Sequence, residues 1–274
     1  MKSICRAITT ALFLAPVVSP VAAQSQAPAA VSLARLECGT NAAPTDVGIR
    51  FSDTYAYNGL KVQLTYSCYV VRHGDDYLVF DTGFAPGLAT SPKTTLVDLL
   101  QQADVTPAQV KFVAISHYHV DHTGQLSQLP QSTLLIGKGD WDALNDPKMA
   151  AIANPAQFAH WISGGGKVEP LAGDRDVFGD GTVIVLNTPG HTPGHHSLLV
   201  KLRDMGNVLI TGDVAHFREN LEGNGVPTFN TDRAASLASL DRFRMIAANL
   251  HATVIVQHDE RDVGKLPAFP AWAK

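Results

Sequence analysis

Four residues with metal-binding side chains lie within six positions of one another, in the segment Ser-His-Tyr-His-Val-Asp-His-Thr-Gly at 116–124. They are His117, His119, Asp121 and His122. A mostly apolar run at 110–115 leads into the segment, which predicts a buried strand that ends where the polar cluster begins. Burying these side chains without a metal would leave several polar groups unsatisfied. Imidazoles and carboxylates are ligands of zinc-like ions, so the segment predicts a metal site.

The spacing also predicts which side chains share a face. Side chains alternate in an extended segment, so His117, His119 and Asp121 should converge on one side. His122 breaks this period and should point elsewhere, where we expect the chain to turn into a helix at Thr123. Such an arrangement suits two neighbouring cations better than one.

Length and composition favour a globular chain with a sizeable core. The 274 residues are 45% apolar and 17% charged, and no linker long enough to separate domains is present. The net charge is −4 and there is no run of Lys or Arg, so no nucleic-acid partner is expected.

The N-terminus is typical of an exported protein. Lys2 and Arg6 precede an apolar stretch at 8–18, and small residues at 21–23 resemble a signal-peptidase site. We therefore expect a signal peptide at 1–23, a flexible leader at 24–32, a single domain carrying the metal site at 33–274, and a periplasmic or secreted location. The stretch is too short and too interrupted by proline to span a membrane, and no lipobox cysteine is present, so no membrane anchor is expected.

After cleavage, two cysteines would remain, Cys38 and Cys68. In an exported protein they allow one disulfide, and two buried thiols are the alternative.

The hydrophobic pattern predicts more strands than helices. Strands are expected at 31–37, 62–72, 77–81, 110–115, 134–136, 183–186, 197–202, 208–211 and 253–256. Helices are expected at 94–103, in pieces at 140–161, and at 233–250 with Asn230 or Thr231 near the cap. Strand-rich halves with flanking helices favour a layered α/β sandwich.

Three more candidate ligands lie where apolar strands end, at positions that often carry function. His191 lies in a loop with two Pro-Gly pairs, Asp213 follows the strand at 208–211, and His258 follows the last strand. Taken singly, Asp213 could be a helix cap and His258 a surface residue. With the first cluster they supply a full ligand set for two metals.

These motifs resemble the metallo-β-lactamase superfamily. The resemblance rests on the cluster at 117–122, Thr-Pro-Gly-His at 188–191, Gly-Asp at 212–213, the final His258 and Asp-Thr-Gly at 81–83, and it spans 66–258. It implies an α/β fold, a four-layer αβ/βα sandwich with two Zn²⁺ or other divalent ions at one edge. It implies one ion held by His117, His119 and His191, another by Asp121, His122 and His258, and Asp213 bridging both. His195 and Asp81 would orient ligands, and Asp121 would also accept or relay a proton.

The resemblance implies hydrolysis of a small molecule. True β-lactamases of the superfamily generally lack a bridging carboxylate at the position of Asp213, and the string at 188–195 is similar to N-acyl homoserine lactonases, the quorum-quenching enzymes that open a lactone ring. Those enzymes often carry a Tyr three residues after the bridging Asp, where this chain has His216. His216 is therefore either a hydrogen-bond donor to the developing oxyanion or a loop histidine at the rim.

Other functions remain open at this stage. An aryl ester or organophosphate hydrolase uses the same ligand set, while a β-lactamase or a non-catalytic metal-binding scaffold fits the motifs less well. The apolar segment at 141–161 is either packed helix or a flap over an acyl chain or aromatic leaving group. Family analogy also allows a homodimer.

Overall fold

The computed structural model describes residues 29–274. The strands are β1 (Val31–Thr40), β2 (Thr45–Asp46), β3 (Lys61–Val62), β4 (Thr65–His73), β5 (Asp76–Phe80), β6 (Val110–Ala114), β7 (Thr133–Gly137), β8 (Val168–Leu171), β9 (Arg175–Asp176), β10 (Val183–Asn187), β11 (His196–Leu202), β12 (Gly206–Ile210) and β13 (Thr253–Ile255). The helices are α1 (Leu96–Gln102), α2 (Val120–Thr123), α3 (Lys138–Leu144), α4 (Ala150–Ala153), α5 (Ala159–Ile162), α6 (Arg218–Glu222) and α7 (Arg233–Asn249). Short 3₁₀ turns lie at Pro107–Gln109, Leu126–Gln128, Pro147–Met149, Pro155–Phe158 and Glu260–Lys265.

The predicted signal peptide at 1–23 lies outside the described residues. Val31 and Ser32, which the prediction placed both at the end of the leader and in the strand at 31–37, are the first two residues of β1. Among residues 29–274, no helix combines the length and the apolar character needed to cross a bilayer.

Two sheets form the centre of the fold. The larger has the order β1-β4-β5-β6-β7-β8, with parallel pairing from β5 to β8. The smaller has the order β13-β12-β11-β10-β9, with a parallel pair only between β12 and β13. Because β11 runs antiparallel to both β10 and β12, the carboxyl ends of β10, β12 and β13 lie at the same edge.

Apolar side chains separate the layers. Val71 and Val208 belong to a buried cluster between the two sheets. Val70, on the opposite face of β4, packs in a cluster that includes α1, and Phe243 of α7 packs in a cluster with Leu209 of β12. The order of layers is helix, sheet, sheet, helix, which confirms the predicted αβ/βα sandwich.

Most predicted elements are present, with informative differences. The strand predicted at 62–72 is interrupted, because Lys61–Val62 pairs with β2 and β4 begins at Thr65. The side chain of Asp232 caps α7 by accepting a hydrogen bond from the Ala235 amide at 2.9 Å, so Asn230 and Thr231, which were predicted near the cap, lie just before the capping residue. The segment at 140–161 is helical in pieces, as expected, while β8 and β9 were not predicted.

The two candidate cysteines form a disulfide. It joins Cys38 of β1 to Cys68 of β4, across a sequence separation of 30 residues. Of the two alternatives left open by the sequence, the bonded one is therefore present.

Candidate metal centre

Four strand ends deliver the candidate ligands to one edge of the sandwich. The loop and helix after β6 carry the cluster at 117–122, and the loops after β10, β12 and β13 carry His191, Asp213 and His258. The structure brings all seven predicted ligands together in two groups. We call His117, His119, His191 and Asp213 group one, and Asp121, His122 and His258 group two.

Three imidazole nitrogens of group one converge on a small space. His117 Nε2 lies 2.8 Å from His119 Nδ1, and His191 Nε2 lies 3.1 and 3.0 Å from those two atoms. Four ligands at zinc bond lengths and tetrahedral angles lie about 3.3 Å apart. The spacing of these nitrogens is therefore close to that of ligands around one ion.

Asp213 lies between the groups and directs one oxygen at each. Its Oδ2 lies 3.2 Å from His191 Nε2, and its Oδ1 lies 2.8 Å from His258 Nε2 and 3.4 Å from His122 Nε2. Asp121 completes group two, with Oδ2 3.5 Å from His122 Nε2. A carboxylate placed in this way can bridge two cations.

The predicted alternation through the cluster was wrong. His117 and His119 do belong together, but Asp121 lies with His122 in the other group. The reason is that the chain becomes helical at Val120, so the extended period does not continue to Asp121, and the helix expected to begin at Thr123 ends there. The side chains of the cluster therefore divide between two ligand groups and do not share one face.

Hydrogen bonds at the far side of three rings fix where their lone pairs point. His258 Nδ1 donates to the Thr65 carbonyl at 2.9 Å, and His122 Nδ1 donates to Asp81 Oδ2 at 2.7 Å. His191 Nδ1 donates to Asn230 Oδ1 at 2.8 Å, and the Asn230 amide donates in turn to Ser236. In the neutral rings, each Nε2 is then an acceptor facing other acceptors. Such a donor set fits divalent cations, because only a cation can satisfy all of its members.

The protonation of the ligand side chains is consistent with the binding of divalent cations. Burial lowers the pKa of His117 and of His191 well below the usual value, which favours neutral rings. Burial opposes the ionisation of Asp213, but the surrounding imidazoles outweigh it and hold the pKa of its carboxyl well below the usual range. Burial opposes the protonation of His122 and His258, but Asp213 outweighs it and raises the pKa of both rings. A cation bound by group two would displace those protons.

The two predicted orienting residues contact ligands as expected. Besides His122, the buried Asp81 accepts hydrogen bonds from the amide and hydroxyl of Ser116 at 2.6 and 2.9 Å and from Gln257 at 2.7 Å. His195 Nε2 accepts from the backbone amide of Asp213 at 2.7 Å, and burial lowers the pKa of His195 to about 3.

Two further supporting residues were missed by sequence reasoning. Asn230 was predicted only as a residue near a helix cap, and its side chain accepts a hydrogen bond from His191. Asp140 was predicted only as the start of a helical segment, yet it accepts hydrogen bonds from the loops on both sides of group one. No local pattern marks either residue, because both act on parts of the chain that are distant in sequence.

A cavity of about 390 Å³ opens onto the centre, within the range of small-molecule sites. Group members His119, Asp121, Asp213 and His258 line its floor. Its walls are largely apolar, with Phe51, Leu64, Tyr66, Val120, Ile152 and Phe229, and they also include Arg50 and His216. Of the segment predicted as either packed helix or flap, Ile152 lines the cavity while Trp161 is buried in the core.

His216 lies in the wall of this cavity and is only 4% exposed. Its Nε2 is 3.1 Å from Asp213 Oδ2 without the geometry of a hydrogen bond. Its ring stacks on that of His258, with centroids 5.9 Å apart, and meets Phe51 edge-on. His216 is therefore a loop residue buried in the cavity wall, and its Nε2 has no hydrogen-bond partner among residues 29–274. Its role as an oxyanion donor stays a prediction.

Comparison with known proteins decides the family. The sequence model of the metallo-β-lactamase superfamily matches residues 63–258, more than half of the chain. The chain belongs to the metallo-β-lactamase superfamily. It is a metal-dependent hydrolase of the lactonase-like type.

Relatives and structural neighbours agree with this assignment. The N-acyl homoserine lactonase AttM of Rhizobium radiobacter is 28% identical over 234 residues, which cover 74% of this chain and 84% of the relative. A crystal structure of a quorum-quenching N-acyl homoserine lactone lactonase superposes with a TM-score of 0.72 at 23% identity, covering 90% of this chain and all of the other. AidC, described as a dizinc quorum-quenching lactonase, superposes with a TM-score of 0.63 at 16% identity, covering 90% and 91%. The two structural likenesses establish the fold.

Proposed function

We propose that this metallo-β-lactamase-superfamily enzyme is a dinuclear zinc hydrolase that opens the lactone ring of N-acyl homoserine lactones. The observation that carries the proposal is Asp213, whose two oxygens face two separate ligand groups on the floor of an apolar cavity. The relatives with lactonase names support the choice of substrate.

The proposed ligand assignment follows the two groups. His117, His119 and His191 hold one ion, Asp121, His122 and His258 hold the other, and Asp213 bridges them. Three nitrogens 2.8 to 3.1 Å apart support the first ion. Zinc is proposed because imidazole-rich sites of low coordination number suit it, and because AidC is described as dizinc.

The bound ions would polarise the lactone carbonyl and lower the pKa of the attacking water towards neutrality. Asp121 is positioned to accept the proton of that water, because its side chain is 20% exposed and lines the cavity. We propose that it passes the proton to the leaving alkoxide. His216 donates from Nε2 to the carbonyl oxygen as that atom gains charge, in the role that the Tyr of related lactonases has.

The cavity walls support an acyl-chain substrate. Phe51 and Phe229 meet edge-on with centroids 5.4 Å apart, and Phe229 also contacts His191 and His216. An apolar wall that begins at the ligands would bury an acyl chain while the lactone reaches the floor. The same wall would also accept the aryl group of an ester or phosphotriester, which makes that hydrolase the second candidate.

Parallel assays separate these candidates. Initial rates with an N-acyl homoserine lactone, phenyl acetate and an aryl phosphotriester should rank the lactone first, with two metal equivalents per chain by elemental analysis. The control is Asp213→Ala under the same conditions. A lactone rate equal to that of this variant, or a higher specificity constant for either aryl substrate, would contradict the lactonase proposal.

We also propose that the protein is exported and works in the periplasm or outside the cell. The Cys38–Cys68 disulfide supports this, since disulfides persist in oxidising compartments. Mass spectrometry of the protein from its natural host should give a mature chain that begins at Gln24. An intact Met1 on the active protein would contradict export.

A further inference from the structure

Asp140 is a buried carboxylate without a role in the chemistry proposed above. It lies in the first turn of α3 and is 0% exposed. Its Oδ2 accepts hydrogen bonds from the Tyr118 amide at 3.2 Å and the Thr192 hydroxyl at 2.8 Å, and its Oδ1 accepts one from the Gly194 amide at 2.7 Å. All three donors are neutral, so the carboxylate is held by hydrogen bonds alone.

These donors belong to the two loops that carry the histidines of group one. Tyr118 lies between His117 and His119, and Thr192 follows His191. A single side chain therefore connects two loops that are more than 70 residues apart in sequence. The far sides of the group two histidines are bound instead by Asp81 and by the Thr65 carbonyl.

Glycines let α3 approach the second loop closely enough for these bonds. A Cβ added at Gly137 would overlap the carbonyl oxygen of Gly194. At Gly139, a Cβ would lie 2.6 Å from the carbonyl oxygen of Pro193. The start of α3 thus lies directly against the segment that positions His191.

We infer that Asp140 is a positioning residue for group one, which sets the separation of the loops at 116–119 and 191–194 and thereby the approach of three imidazole nitrogens. The inference rests on the proposed ligand assignment. A general role in stability would weaken the whole fold, whereas a positioning role weakens one metal site and spares the other.

The test measures metal affinity in two single-site backgrounds. His258→Ala disables group two and His119→Ala disables group one, so each variant should bind one Zn²⁺ equivalent tightly. Adding Asp140→Asn should weaken Zn²⁺ binding about 10–100-fold in the His258→Ala background, as expected for loss of a residue that supports ligands. In the His119→Ala background the affinity should change by no more than about twofold. Chelator competition gives both values, and the Co²⁺ absorption spectrum should change only in the first.

Two controls keep the result interpretable. Asp140→Asn is nearly isosteric, so it should fold even if Asp140→Ala does not. Ser132→Ala removes a buried hydrogen bond to the Val110 carbonyl at the opposite end of β6, and it should lower stability without changing Zn²⁺ affinity. Equal weakening in both backgrounds, or none in either, would overturn the positioning role alone. Failure of the single-site variants to bind one equivalent each would overturn the ligand assignment and this inference with it.

Discussion

The two ligand groups lie side by side but are supported in different ways. In group one, His191 is oriented by the neutral amide of Asn230, which belongs to a loop. In group two, His122 is oriented by the carboxylate of Asp81 and His258 by a backbone carbonyl at the start of β4. A carboxylate partner raises the basicity of an imidazole more than an amide does. Group two should therefore be the stiffer and tighter of the two sites.

The largest effect should come from Asp213, which both groups share. Asp213→Ala should lower kcat/KM by at least about 10³-fold and reduce the bound metal below two equivalents, because polarisation by metal contributes several kcal/mol. Elemental analysis and lactone kinetics give both values. Asp241→Ala, which changes a carboxylate of α7 outside both groups, is the matched control. Full metal content in Asp213→Ala would contradict the bridging role.

A smaller effect is expected at His216, which contacts both groups through its ring. It stacks on His258 and meets His191 edge-on at 5.2 Å. His216→Phe should lower kcat about 10²-fold while two metal equivalents remain, as for loss of an oxyanion donor. His216→Tyr should keep most of the activity. Loss of metal from His216→Phe would show that the His216 ring holds Asp213 in place and does not donate a hydrogen bond to the substrate.

The next comparison tests the difference between the groups directly. Asp81→Asn should weaken the binding of the group two ion about 10–100-fold. Asn230→Ala should weaken the binding of the group one ion by a smaller factor, because it removes a neutral partner. Stepwise chelator competition on the two variants gives both affinities. If Asn230→Ala had the larger effect, group one would be the more strongly supported site.

The smallest effect on metal binding is expected from the disulfide. The Asp81-Thr82-Gly83 turn packs against it, since a Cβ at Gly83 would overlap Cys38. Replacing Cys38 and Cys68 with Ala should lower the free energy of unfolding by about 3 kcal/mol. The same change should weaken the binding of the group two ion, whose ligand His122 is oriented by Asp81, by less than about tenfold. Urea unfolding of the metal-free proteins measures the change in the free energy of unfolding. Dithiothreitol treatment of the wild type should reproduce the change, and an unchanged midpoint would contradict it.

The ligands could be predicted from the sequence because they follow the ends of apolar strands. Val110–Ala114 and Gly206–Ile210 end in apolar residues, and polar side chains follow within two positions, a pattern that can be recognised without tertiary information. A layered α/β sandwich followed from the same strands, and its αβ/βα order followed from the family resemblance. The division of the ligands into groups followed from the family resemblance and not from the strand pattern, because it depends on a one-turn helix that begins at Val120.

The supporting residues could not be predicted for a different reason. Asp140 meets Gly194, and Asn230 meets His191, only after the sheets have packed. An Asn two residues before the true cap has the same local signature whether it caps a helix or binds a histidine. Phe51 and Phe229 are far apart in the chain but in contact in the cavity wall, and no local sequence pattern marks either residue.

Each ligand group takes residues from both sheets, since His119 and His122 follow β6 of the larger sheet while His191 and His258 follow strands of the smaller. Ions held there would act as cross-links between the halves of the sandwich and add to the free energy of unfolding by mass action. Where the ions are scarce, the chain would open more often and be degraded faster. Metal supply would then govern how much of the protein survives as well as how fast each molecule works.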